Sequence, residues 1–170
     1  MMNFFKSCIK LEDIRPLFKE LALKFHPDRG GDTRTMQILN DEYHQALKSF
    51  EGTKLFNHKT KEEYAYKYDY KSEEALASKI NEVIGLKLDN IELEIIGSWL
   101  WIHKASKEQA KLFNNKEGLG CNFSGVHTAW FWHKGIRSAF RGQRSGLNLD
   151  QIRGVFGSET IEHERNKQIA

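Results

Sequence analysis

The chain has 170 residues, a net charge of +3 and an apolar fraction of 39%, enough for one ordinary domain or two small ones with packed cores. So small a charge does not by itself imply a nucleic-acid partner, and its two distant cysteines, Cys8 and Cys121, fit neither a disulfide framework nor a paired-cysteine metal motif. No apolar run approaches membrane-spanning length and the first residues lack an apolar signal core; the expected setting is the cytoplasm, without membrane contact.

Ile14, Leu17, Phe18, Leu21, Ala22 and Phe25 recur at the helical period and form one apolar stripe. Pro16 lies near the first turn, where a missing N–H costs little, and Glu12 and Asp13 suit the positive end of the helix dipole. Pro27 restricts His26 to extended geometry, so the helix is expected to stop at about Phe25. Gly30 and Gly31 let the chain reverse, and Asp32 or Thr33 caps a second helix with the stripe Met36, Leu39, Tyr43, Leu47 and Phe50. Residues 11–50 therefore read as an antiparallel helical hairpin. Opposite the apolar stripe of the first helix run Arg15, Lys19 and Leu23, with Lys24 nearby, leading toward His26. A basic face with one exposed leucine suits an acidic partner surface; the alternative is an ordinary solvated face.

The tripeptide His26-Pro27-Asp28, set between those helices and followed by Arg29-Gly30-Gly31-Asp32, would occur by chance in about one chain of this length in a hundred. In that setting it resembles the J domain of DnaJ-type co-chaperones, which stimulate the ATPase of Hsp70. The stretch from His26 to Asp32, with Met36 and Tyr43 beyond, looks like the J regions of phage, viral and mobile-element proteins. The resemblance covers about the first third of the chain. It implies a DnaK-type Hsp70 as partner, with His26, Pro27 and Asp28 as the essential loop and Asp28 engaging an arginine of that partner. Arg15, Lys19 and Lys24 would be docking charges and Leu23 an apolar contact. Glu20 stands where the family often carries a basic residue.

From Glu51 to Lys71 the chain is polar, with Tyr64, Tyr66, Tyr68 and Tyr70 at alternate positions. It reads as either an extended edge segment or a linker whose tyrosines dock on a neighbour. Ser72 is expected to cap a helix with the stripe Leu76, Ile80, Val83 and Ile84, ended by Gly85. Ile91 to Ile95 alternates as a half-buried strand, expected to continue past a bend at Gly97 into Trp99–Ile102. Ser106 and Gln109 suit a capping box before Ala110, Leu112 and Phe113. After a turn from Asn114 to Gly120, Val126–His133 reads as another strand. Asn148 and Gln151 suit a second capping box, opening a short helix stopped by Gly157. The expected organisation is a J-like domain over 1–52, a linker or edge segment over 53–71, a small α+β domain with a Trp-rich sheet over 72–158, and a charged tail over 159–170. The fold class is α+β.

Trp99 with Trp101, and Trp130 with Trp132, each share a strand face. They read either as sheet-core packing or as a stacking platform for single-stranded nucleic acid or a peptide. Arg137, Arg141 and Arg144, with Lys134 and Arg153, give that half a basic run suited to phosphate, or simply a solvated face. Cys121, His127 and His133 match no standard zinc spacing, and phosphate-loop, nucleophile-elbow and zinc-protease motifs are absent. The sequence is read as a non-enzyme without cofactor or metal. The leading expectation is an Hsp70 co-chaperone whose C-terminal domain chooses the client or target. The alternative is a phage or mobile-element regulator that binds nucleic acid, or a host replication or defence complex, through the Trp and Arg surface, with the hairpin as scaffold.

Overall fold

The computed structural model describes residues 3–57, 61–88, 90–114, 117–135 and 158–159. Helix α1 spans Leu11–Phe25 and helix α2 spans Thr33–Ser49, joined by a short 3-10 turn at Pro27–Arg29. The Asp13 carboxylate accepts the Lys10 N–H at the start of α1, and Asp32 caps α2 by accepting the Thr35 N–H at 2.8 Å. The two helices pack through Phe18 and Tyr43, whose ring centroids lie 4.3 Å apart. Phe4 and Phe5, preceding α1, close over Phe25 and Tyr43.

A hairpin follows, with β1 at Lys54–Asn57 antiparallel to β2 at Glu62–Ala65. The alternating tyrosines then part company. Tyr64 stays exposed on β2, Tyr66 is buried, Tyr68 bonds His44 through its hydroxyl, and Tyr70 opens the next helix. That helix, α3, spans Tyr70–Gly85, and its cap is Asp69 rather than Ser72: the Asp69 carboxylate takes the Lys71 and Ser72 N–H groups. Its stripe of Leu76, Ile80, Val83 and Ile84 is buried as expected.

The second half is a five-stranded antiparallel sheet in the order β5-β6-β4-β3-β7, with β3 at Glu92–Ile96, β4 at Trp99–His103, β5 at Asn122–Ser124, β6 at Ala129–Trp132 and β7 at Ser158–Glu159. Helix α4, Ala110–Phe113, lies between β4 and β5. Two strand expectations are corrected. The chain does not run on past Gly97: Ile96 pairs with Trp99 across a two-residue hairpin turn, in which Gly97 has φ +58° and Ser98 does not share the positive value, the II′ arrangement. The segment Val126–His133 is not one strand, because residues 125–128 form the β5–β6 turn and Thr128 takes φ +51°.

One face of the sheet packs on the helices. Leu93, Ile95, Leu100 and Ile102 join Ile14, Phe18, Leu39, Tyr43, Leu76 and Ile80 in a single apolar cluster. The core therefore runs without a break across residues 52 to 72, where the composition changes. The class is α+β. Among the described residues no helix is long and apolar enough to cross a membrane.

Candidate functional site: the His-Pro-Asp loop and the face of α1

His26 closes α1 in extended geometry, with φ −62° and ψ 130°, as the following proline requires. Its carbonyl accepts the N–H groups of Arg29 and Gly31, both at 2.9 Å. Its ring Nδ1 accepts the Asp28 N–H at 3.2 Å, which assigns the ring proton to Nε2 in the neutral form. The Asp28 carboxylate lies 3.7 Å from the same Nδ1. Two glycines make the reversal possible. Gly30 adopts φ +91°, and a Cβ on Gly31 would stand 2.1 Å from the Phe25 carbonyl oxygen. The result is a braced turn that buries His26 and leaves Pro27, Asp28 and Arg29 exposed; the Asp28 side chain is 58% exposed.

The outward face expected for α1 is corrected by the structure. Lys19 is buried and Arg15 largely so, because α3 and β3 lie over them. The Arg15 guanidinium forms a two-pronged pair with Glu73 of α3, its Nε 3.2 Å from Oε2, and Glu73 also accepts the Tyr43 hydroxyl at 3.0 Å. Burial alone would lower the Arg15 pKa; Glu73, bonded and opposite in charge, more than reverses this and holds it above the ordinary value. Lys19, 3% exposed, donates to the Leu93 carbonyl of β3 at 2.7 Å, and burial lowers its pKa. Leu23 is half-buried against the core. Of the expected docking charges Lys24 alone is exposed, its Nζ 5.4 Å from the centre of the Phe25 ring.

The loop and α3 enclose a cleft of about 610 Å³ whose lining includes His26, Asp28, Asn81, Glu74, Glu82 and Gly85. Its carboxylates come from both elements, and among the described residues its lining carries no lysine or arginine. Beside it His44 bridges Tyr68, at 2.8 Å, and Glu74, at 2.7 Å, which ties α2 to the start of α3. Closure of the loop on α3 is permitted by Gly85, since a Cβ there would come within 3.0 Å of Asp28 Oδ2.

The two tryptophan pairs lie on opposite faces of the sheet. Trp130 and Trp132 pack on the helical side: Trp130 against Phe113 and Phe123, Trp132 beneath the Lys79 ammonium at 5.7 Å. Trp99 and Trp101 lie on the other face with Phe131, His133 and His127. Trp101 is 4% exposed and Trp130 is half-buried, so the four indoles do not form one platform. On the same face as Trp101, the fully buried Glu94 carboxylate meets His103 Nε2 at 2.9 Å. Arg137, Arg141, Arg144 and Arg153, and the helix expected after Asn148, lie outside the described residues. Among the described residues no three His, Cys, Asp or Glu side chains gather as a metal site.

Sequence reasoning assigned no role in the site to Glu73 or the Leu93 carbonyl and read Gly85 only as a helix stop. A signal existed for the first. Glu73 stands at i relative to Leu76, Ala77 and Ile80 at i+3, i+4 and i+7, inside the buried stripe of α3, where a carboxylate requires a partner. Comparison with protein-family models, with curated proteins and with solved structures finds no match for this chain.

Proposed function

We propose that this protein is a cytoplasmic DnaJ-type partner of Hsp70, docking through the His26-Pro27-Asp28 loop while the sheet half selects the client or target. The observation that carries the reading is the loop itself: a turn fixed by His26, Gly30 and Gly31 that holds Pro27 and the Asp28 carboxylate out at the end of a helix. A rigid, exposed carboxylate loses little conformational freedom on docking. Stimulation would arise from differential binding: the loop favours the hydrolysis-competent Hsp70 conformation, so its affinity for that state appears as a faster ATPase. No cofactor or metal takes part. The test is steady-state Hsp70 ATPase with the parent protein, His26→Gln and Asp28→Asn. The reading requires stimulation by the parent and its loss in both variants with unchanged melting; equal activity in all three would overturn it.

A second reading is favoured by the internal use of Arg15 and Lys19, which makes the hairpin a structural part of the whole fold. The hairpin is then a scaffold, and a phage or mobile-element regulator binds nucleic acid or a host complex through Arg137, Arg141 and Arg144. The two tryptophan pairs lie on opposite faces of the sheet, so that reading takes one pair, Trp99 with Trp101 or Trp130 with Trp132, together with the arginines. Salt-sensitive binding of single-stranded DNA or RNA, weakened by Arg141→Ala or Arg144→Ala, would support it.

A further inference from the structure

One stripe of α3 walls the cleft of about 610 Å³. Glu74, Ser78, Asn81, Glu82 and Gly85 line it and recur at the helical period, which keeps their side chains on one face. Across from them stand Asn40 of α2 and, beside Gly85, the Asp28 carboxylate. Glu74 meets His44 and Glu82 meets Lys79, yet their side chains remain 52% and 44% exposed and keep acceptor capacity for a further donor. The Lys79 ammonium is committed to Glu82 and to the Leu119 carbonyl. A second observation is independent of charge. The Oδ1 atoms of Asn40 and Asn81 each expose less than 1 Å² and receive no hydrogen bond. A buried carbonyl oxygen without a donor is costly, and both residues line the cleft. An occupant rich in N–H groups supplies what the protein leaves out.

We propose that this cleft is a recognition groove for a basic peptide, an extended partner segment that carries two arginines four residues apart. The spacing follows from the wall. From Glu74 to Glu82 the helix rises about 12 Å at 1.5 Å per residue, and four residues of extended chain advance about 13 Å. Positions i and i+4 of such a chain point to the same side. One guanidinium then meets Glu82 and the neighbouring Asn81 amide, and the other meets Glu74. Arginine fits better than lysine because its flat fork of five N–H donors serves a carboxylate and an amide oxygen together. An anion finds no lysine or arginine in the lining among the described residues. A metal ion finds no group of three ligating side chains there. The groove stands apart from the Hsp70 reading, since α3 supplies its acidic wall and Asp28 borders only one end.

The experiment is fluorescence anisotropy on the full chain. Its probe is a labelled peptide with two arginines four residues apart in a glycine–serine background, beside versions with two lysines and two alanines. The groove requires saturable binding of the arginine peptide, weakened by salt. Glu74→Gln or Glu82→Gln should weaken it roughly three- to fivefold, the range for one half-exposed charge contact. Ser78→Trp sets a large ring on the exposed middle of the stripe and should remove binding with melting unchanged. Glu62→Gln, which alters an exposed carboxylate on β2, should leave binding as it is. Nitrogen–proton spectra give a direct readout: the side-chain amide signals of Asn40 and Asn81 should shift on titration with the arginine peptide. Absence of saturable binding, its persistence in folded Ser78→Trp protein, or equal weakening by Glu62→Gln overturns the groove. Equal affinity for the lysine peptide overturns the guanidinium assignment.

Discussion

Arg15 and Glu73, fifty-eight positions apart, form a nearly buried two-pronged ion pair that ties α1 to α3, and the Tyr43 hydroxyl of α2 joins the same carboxylate. Three helices thus converge on one acidic group. Removing it leaves a guanidinium in the core without a counter-charge, so Glu73→Ala should cost about 3–5 kcal/mol. The double change Arg15→Met with Glu73→Leu removes both charges and replaces them with apolar volume, and it should recover most of that loss. Chemical denaturation of Arg15→Met, Glu73→Leu and the double variant checks this. Additive losses would mean that the pair is not a unit.

Both ends of α1 and the start of α2 were legible in the sequence because local chemistry decides them. Pro27 constrains His26, Asp32 caps α2, and the apolar stripes have the helical period. The burial of Arg15 and Lys19 was not legible from α1, since a helix considered alone assigns its charged side to water. That side faces α3 and β3, which arrive from far along the chain, and the complementary clue sits in the stripe of α3. The strand errors have a different origin. In residues 126–133 the apolar and aromatic run conceals a turn at which Thr128 takes a positive φ, a conformation that no residue type there signals. At Gly97 the two strands are joined by so short a turn that the alternation reads as continuous.

Lys19 should oppose folding at neutral pH. Its folded pKa is lowered by burial from the ordinary 10.5. Between the lowered value and 10.5 the unfolded chain binds a proton that the folded chain does not, so this residue makes stability rise with pH across that window. Below the window both states are charged and the folded state bears the full cost of the buried ammonium. Lys19→Met should therefore stabilise the protein by about 1–3 kcal/mol near pH 7, with the advantage shrinking as pH approaches 10.5. Denaturant midpoints of parent and variant at a series of pH values give the test. A difference that grows with pH would refute the assignment.

Cys121 predicts the opposite slope. Burial pushes its thiol from 9.0 up to about 11, against a smaller lowering by Lys79. Above pH 9 the unfolded thiol ionises while the folded one stays protonated, so stability falls between 9 and 11. At pH 8 the same burial keeps the folded thiol unreactive. Alkylation followed by mass spectrometry should label half-buried Cys8 first and Cys121 only as the protein unfolds. Equal labelling rates in the native protein would contradict the burial of Cys121 in the core.

Gly85 and Gly31 separate the loop's proposed docking role from its folding. A Cβ on Gly31 meets backbone, the Phe25 carbonyl oxygen at 2.1 Å, and backbone within a tight reversal has no room to yield. Gly31→Ala should destabilise the protein by several kcal/mol, about the upper range for single substitutions, and remove any Hsp70 response with the fold. Gly85 differs, because its φ is not positive and the atom in its way is Asp28 Oδ2 at 3.0 Å, the end of a half-exposed side chain. Asp28 can move aside by a few tenths of an ångström, and alanine favours the last turn of α3 by up to about 1 kcal/mol. Gly85→Ala should therefore hold or raise the melting temperature while it displaces the Asp28 carboxylate and, on the proposed Hsp70 reading, lowers stimulation. Thermal melts and ATPase rates on the same preparation check the two halves separately. If melting and stimulation fall together, Gly85 serves the fold alone and the position of Asp28 against α3 has no part in docking.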